Sequence, residues 1–166
     1  YSNLWTDMST ILGYASNFQK LITKLFANGE QGFFYDPSDM GTMFQDAAGT
    51  IPVTAAGQTV GLIRDKSGRN NHAYQTVSTS RPILQRNATT GAYYLSFDGV
   101  DDFLRTNTID FTATDKVTVF TGIRKLSDAA TAVVAELGAD TITVNGTFGL
   151  FAPAGTGLTK FQFLSR

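Results

Sequence analysis

The feature that most constrains this chain is a change of period at Asn28-Gly29. Before it, Leu4, Met8, Ile11, Ala15, Phe18, Ile22 and Leu25 are spaced 4, 3, 4, 3, 4 and 3 residues apart. That is the seam of an amphipathic, coiled-coil-type helix, with Met8, Ala15 and Ile22 at a positions and the others at d. Ser2 or Asn3 can cap its start, and Gly29 suits the left-handed conformation that ends a helix. Gly13 weakens the middle by about 1 kcal/mol relative to Ala, so the helix needs partners to persist. Trp5, Leu12 and Phe26 widen the apolar stripe, and Tyr14 and Leu21 add a flank, which is more surface than one neighbour covers. Two arrangements remain open: the helix lies on its own domain, or it bundles with copies of itself. Self-association through Leu4, Met8, Ile11, Phe18, Ile22 and Leu25 is favoured, as a trimeric or higher bundle rather than a two-stranded coil, with the trimer preferred and the number of copies left open by the sequence.

After Gly29 the heptad stops and the pattern becomes that of short strands. Gln31 to Asp46 carries turn chemistry around Asp36-Pro37-Ser38-Asp39. Strand-like runs follow at Gln58–Ile63, Tyr93–Phe97, Val117–Gly122, Thr131–Glu136, Thr141–Val144, Thr147–Phe151 and Lys160–Leu164, separated by Gly, Asn, Asp and Ser clusters. The composition agrees: 23 Thr, 13 Phe and 16 Gly against only two Glu suit strands and turns better than helices. The expected organisation is a helix over 1–29 and a mainly β domain over 30–166. The chain stops inside a strand-like run and lacks an initiator Met, so that domain is expected to be truncated at its C-terminal end.

Charge and missing residue types exclude several functions. Thirteen basic against fourteen acidic residues give a net charge of −1, with no basic footprint for nucleic acid or anionic lipid. Without cysteine there is no disulfide framework, thiolate zinc site or cysteine nucleophile. No apolar run approaches the roughly 20 residues that insert into and span a bilayer. A single histidine, His72, rules out mechanisms that need two imidazoles.

Two polar clusters carry the remaining chemistry. One is Asp65-Lys66-Ser67-Gly68-Arg69-Asn70-Asn71-His72-Ala73; the other is Phe97-Asp98-Gly99-Val100-Asp101-Asp102. With Arg81-Pro82 between them and Tyr35-Asp36-Pro37-Ser38-Asp39 and Phe44-Gln45-Asp46-Ala47-Ala48-Gly49-Thr50 upstream, they resemble the concanavalin A-like, laminin-G-type jelly-roll domains common in phage and prophage tail proteins. The resemblance spans roughly residues 31–125. It implies an antiparallel two-sheet jelly-roll sandwich used for adhesion, often to carbohydrate. It also implies that calcium is a possible ligand of Asp98, Asp101 and Asp102, with Asn70 a further oxygen donor. From the residues alone, Asp98-Gly99 and Asp101-Asp102 read as turn formers bonding their own backbone, and their spacing matches no EF-hand loop.

His72 reads as a loop pin that donates to a carbonyl or carboxylate, and Arg69 and Arg81 as loop anchors. No G-x-S-x-G motif supports a nucleophile. Glu30 and Glu136 do not stand in the alternating acids of the related glucanases, and adjacent Asp101 and Asp102 would point to opposite faces of a strand. No catalysis is expected. Sugar binding needs an aromatic face and short polar groups. The candidates are Asn70, His72, Tyr74 and Asp98, with Tyr74 the aromatic expected to be exposed and Tyr93, Tyr94 and Phe103 expected in the core. With these readings, the resemblance to phage tail domains implies an extracellular virion component, a tail fibre or host-recognition protein. It would contact other tail proteins and adhere to a host surface glycan. A secreted carbohydrate-binding module is the alternative, and a glycoside hydrolase fragment a more distant one.

Overall fold

The structure, a computed structural model of the chain, describes residues 18–113, 116–138, 147–153, 155 and 157–165. Leu4, Met8, Ile11 and the strand expected at Thr141–Val144 lie outside the described residues. The chain forms two compact units, Tyr1–Asp115 and Lys116–Arg166. Among the described residues it is mainly β, with one α-helical segment, two single-turn 3-10 helices (Met40–Thr42 and Ser78–Ser80) and three small antiparallel sheets, none of them a closed barrel.

Residues 18–25 are helical, and the turn that follows ends at Gly29 with φ +92°, the left-handed conformation that the sequence places there. The helix meets its own unit: Ile22 is buried, and the Phe18 ring stands edge-on to Phe34 at 5.7 Å. Phe18, Leu21 and Leu25 stay about half exposed, so the apolar surface of residues 18–25 is only partly covered.

The first sheet is built from very short strands, β1 (Met43–Phe44), β2 (Leu62–Ile63) and β3 (Ala73–Tyr74). Met43 pairs with Ile63 and Ile63 with Ala73; Phe44 pairs with Leu62 and Leu62 with Tyr74. Successive side chains in a strand point to opposite faces. Met43, Ile63 and Ala73 therefore enter the core, where they meet Val53, Val60 and Leu84. Phe44, Leu62 and Tyr74 lie on the other face, which Arg105 extends by bridging to Tyr74. β1 and β2 approach so closely that a Cβ at Gly61 would stand 2.7 Å from the Gln45 carbonyl oxygen. Only glycine fits there.

The second sheet is the hairpin of β4 (Ile83–Arg86) and β5 (Tyr93–Ser96). It joins the first through the Thr59–Ile83 bridge and through Leu84, buried in the shared core. Tyr93 and Leu95 pack inward and Tyr94 outward, which is the expected alternation.

In the second unit, β6 (Val133–Leu137), β7 (Phe148–Phe151) and β8 (Gln162–Ser165) form a sheet in that order. Phe148 meets Phe163 edge-to-face at 4.6 Å, and Phe151 and Ala152 are buried beside it. The strand expected at Val117–Gly122 does not form: residues 116–128 hold no regular structure, and Phe120 is 87% exposed. Alternation alone does not make a strand. It needs a ladder partner for its backbone groups, and none pairs with this segment among the described residues.

Candidate functional site

The outer face of the first sheet opens into a depression of about 670 Å³. Its floor follows from strand register. Leu62 stands opposite Tyr74, and Arg64 and His72, each two residues along, share that face. Asn107 stands two residues beyond Arg105 and receives the Tyr74 hydroxyl hydrogen bond on its Oδ1 at 3.0 Å. Ala47 and Ala48 form one wall and Asn70 the rim. Asp46 holds that wall. Its carboxylate accepts from the Ile51 and Thr50 N–H groups and the Thr50 hydroxyl at 2.8–2.9 Å, which lowers its pKa.

The loop 65–72 is a hydrogen-bonded knot. Asp65 Oδ1 accepts from the Phe34 and Ser67 N–H groups, both at 2.8 Å. Its Oδ2 accepts from the Ser67 hydroxyl at 2.6 Å and the Asn71 N–H at 3.0 Å. Asn71 Nδ2 donates to the Gly32 carbonyl at 2.7 Å, and the Tyr35 hydroxyl donates to the Asn71 carbonyl. Burial, with Asp65 close by, pushes the Tyr35 phenol well above its ordinary pKa. Lys66 bridges Asp36 and Asp39 at 3.1 and 2.9 Å. The loop thus stitches down the segment that carries Tyr35-Asp36-Pro37-Ser38-Asp39. Two of the sequence clusters behind the family resemblance are in direct contact.

His72 pins this loop, but it accepts where the sequence reading had it donate. Its Nδ1 receives the Asp65 N–H at 3.0 Å. The neutral ring then carries its proton on Nε2, which leaves a donor. Asn70 has φ +60°, a left-handed conformation that Asn tolerates better than most residues. Arg69 donates to the Phe26 carbonyl. Arg81 donates to the Gln75, Gln45 and Thr76 carbonyls at 3.0–3.1 Å. Both act as the loop anchors that the sequence suggested.

The structure brings Asn70, His72 and Tyr74 to one depression; Asp98 is not among its lining residues. Tyr74 is not the exposed aromatic. Flanked by Leu62 on one side and the bridging Arg105 on the other, it is only partly open, while Tyr94 and Phe103 are each 47% exposed. Arg64, Asn107 and the Ala47-Ala48 wall carried no signal of their own in sequence, because pairing between distant segments is what assembles them.

The 98–102 turn is built from its own backbone. Asp98 Oδ1 accepts from the Val100 N–H at 2.8 Å and from those of Asp101 and Asp102 at 3.3 Å, which lowers its pKa. Asp102 Oδ2 accepts the Asp98 N–H at 3.0 Å, and Asp101 Oδ2 the Ser80 hydroxyl at 2.5 Å. Each carboxylate thus commits one oxygen, and no lysine or arginine bridges to any of them among the described residues. One oxygen from each of the three lies within 4.8 Å of the others. Such an all-oxygen set is compatible with a hard cation bound at about 2.3–2.6 Å. Partial burial raises the pKa of Asp102, and the neighbouring charges of Asp98 and Asp101 raise it further.

No helix among the described residues is long and apolar enough to cross a membrane. Searches against family models, curated proteins and solved structures find no match to this chain, so what the site can do follows from its own residues.

Proposed function

We propose that the chain is a non-catalytic recognition module of a phage-type tail fibre or host-attachment protein, whose lectin-like β domain binds a host surface glycan. The observation that carries this is the depression on the β1–β3 face, where Asn70, His72 and Tyr74 converge beside Asn107. Sugar recognition asks for an aromatic surface and for short donors and acceptors that match hydroxyls. Tyr74 supplies the first. The His72 Nε2–H and the Asn70 and Asn107 amides supply the second. The Asp65 carboxylate, with both oxygens committed to the loop, is spent on holding the site rather than on proton transfer. The jelly-roll arrangement implied by the family resemblance belongs to this same proposal, resting on motif order and on antiparallel pairing.

In this reading the module works outside the cell, on the virion tail beside other tail proteins, and multivalency raises weak single-site affinity through effective concentration. The N-terminal helix provides the copies as a trimer. Along 18–25 the half-exposed Phe18, Leu21 and Leu25 recur at spacings of three and four, a stripe available to a partner helix. Calcium, where the turn takes it, would be held by Asp98, Asp101 and Asp102 and would neutralise their mutual repulsion.

The test is binding to a glycan panel, with and without calcium, by the full chain and its Tyr74→Ala and His72→Ala variants. Binding that both variants abolish supports the reading. Absence of any glycan binding in either condition defeats it. Solution mass tests the assembly: a species of three 17.9 kDa chains is expected at micromolar concentration, and a monomer counts against the bundle.

A further inference from the structure

We infer that the glycan taken by this depression is anionic, bearing a carboxylate or sulfate group that two arginines receive; this rests on the carbohydrate reading above. The first unit holds five arginines, and they divide sharply. Arg69, Arg81 and Arg86 spend their guanidinium groups on backbone carbonyls. Arg64 and Arg105 have no side-chain hydrogen bond and no ion pair among the described residues. Each instead lies over a ring, Arg64 over Phe44 at 4.5 Å and Arg105 over Tyr74 at 5.7 Å.

Strand register places both on the same outer face. Arg105 bridges directly to Tyr74, and Arg64 stands two residues beyond Leu62, the other partner of Tyr74. One uncompensated cation, Arg64, therefore lines the depression, and the other, Arg105, stands against its Tyr74 from outside the lining. The one acid that lines it, Asp65, already accepts four hydrogen bonds through its two oxygens. What faces a ligand is thus dominated by donors: the Arg64 guanidinium fork, the His72 Nε2–H and the Asn70 and Asn107 amides line the depression, and the Arg105 fork stands beside it over Tyr74. A planar fork matches a carboxylate or sulfate in two-point geometry, which a neutral hydroxyl cannot reproduce. Stacking on Phe44 and Tyr74 preorients the forks and lowers the ordering cost of binding. The chain as a whole carries a charge of −1, so attraction to an anion has to be local to this face.

The experiment presents each sugar of a glycan panel in neutral, uronate and sulfated forms to the full chain. The charged forms are expected to bind best, with affinity falling as salt rises. Arg64→Gln and Arg105→Gln should each weaken charged-glycan binding about tenfold, and together remove the preference for charge. Arg64→Lys should fall between, because it keeps the charge and loses the fork. Both arginines are exposed, so unchanged circular dichroism and melting temperature are expected of all these variants. The carboxylate and sulfate arms identify which oxyanion is read. If neutral and charged forms bind equally and Tyr74→Ala abolishes both, the carbohydrate site stands and this inference falls. A charge preference that survives the double arginine variant also overturns it. No binding by any form defeats both readings.

Discussion

The loops 65–72 and 98–102 are made of the same materials, short carboxylates, small polar residues and glycine, and they do opposite things with them. In the first, one carboxylate accepts four hydrogen bonds, three of them from the N–H groups of Phe34, Ser67 and Asn71. Its charge is directed inward and holds two distant chain segments together. In the second, three carboxylates share one turn, each committing one oxygen, with no lysine or arginine bridging them among the described residues. Composition cannot separate the two cases. The difference lies in where the backbone donors come from: Asp65 and Asp98 each accept three N–H groups, but one of those on Asp65 comes from the distant Phe34, whereas all three on Asp98 belong to its own turn. The lead-in segment 32–39 packs on the first loop, whereas the second bonds chiefly to its own backbone.

The sharpest way to break this comparison is to remove the carboxylate that carries most. Asp65→Ala leaves three partly buried N–H groups without their acceptor and releases the segment around Phe34. A loss of about 2–4 kcal/mol is expected, since each unsatisfied buried donor costs about 1–3 kcal/mol. Urea unfolding followed by fluorescence measures it. The depression should be lost with the loop, so glycan binding should fall along with stability. A variant as stable as the parent would show that the knot is incidental. Asp98→Ala, its counterpart in the exposed turn, is expected to cost much less and to leave binding intact.

The ion pairs beneath the first loop give a second, smaller effect, seen through pH. Burial alone would raise the Asp36 pKa, but the Lys66 hydrogen bond and charge and the Ser38 N–H outweigh it and hold the carboxyl below its ordinary value of 3.8. A folded-state pKa below the unfolded one means that the stabilisation is present above the unfolded value. It is lost as pH falls through the folded one. Melting temperature should therefore fall below about pH 4, and Asp36→Asn should flatten that limb. An acid limb unchanged in the variant would place the lability elsewhere.

How much of this was legible in the sequence depends on how local each feature is. The Gly29 stop, the strands β5 to β8 and the self-bonded Asp98 turn rest on neighbouring residues, and the sequence anticipated them to within about two positions. The two-residue strands β1 and β3 were illegible, because Met43-Phe44 and Ala73-Tyr74 are too short to show a period. They exist only because Leu62-Ile63 lies between them. The depression inherits that limit. Asn70, His72 and Tyr74 stood out as a polar-aromatic cluster in one stretch of chain, whereas Arg64 and Asn107 are recruited by register, as is Arg105 beside Tyr74. Val117–Gly122 errs in the other direction, having alternation without a partner to pair with.

The smallest expected effect is the one that most directly sharpens the contrast between the loops. Burial and the charges of Asp98 and Asp101 raise the Asp102 pKa, so its protonated form is favoured by folding. A folded-state pKa above the unfolded value means that its contribution to stability is present at low pH. It fades as pH rises through the folded pKa, and at neutral pH the ionised group is left as a cost. Asp102→Asn removes that cost and keeps an oxygen able to accept the Asp98 N–H, so a slight rise in melting temperature at pH 7 is expected. The same substitution at Asp98 would leave a neutral acceptor where three N–H groups now converge on a charged oxygen, and should lower it instead. Calcium supplies the discriminating measurement. If the turn takes the ion, adding calcium should raise the melting temperature of the parent and leave Asp102→Asn unmoved. If the turn is only a backbone cap, calcium should move neither, and the opposite signs of the two substitutions should remain.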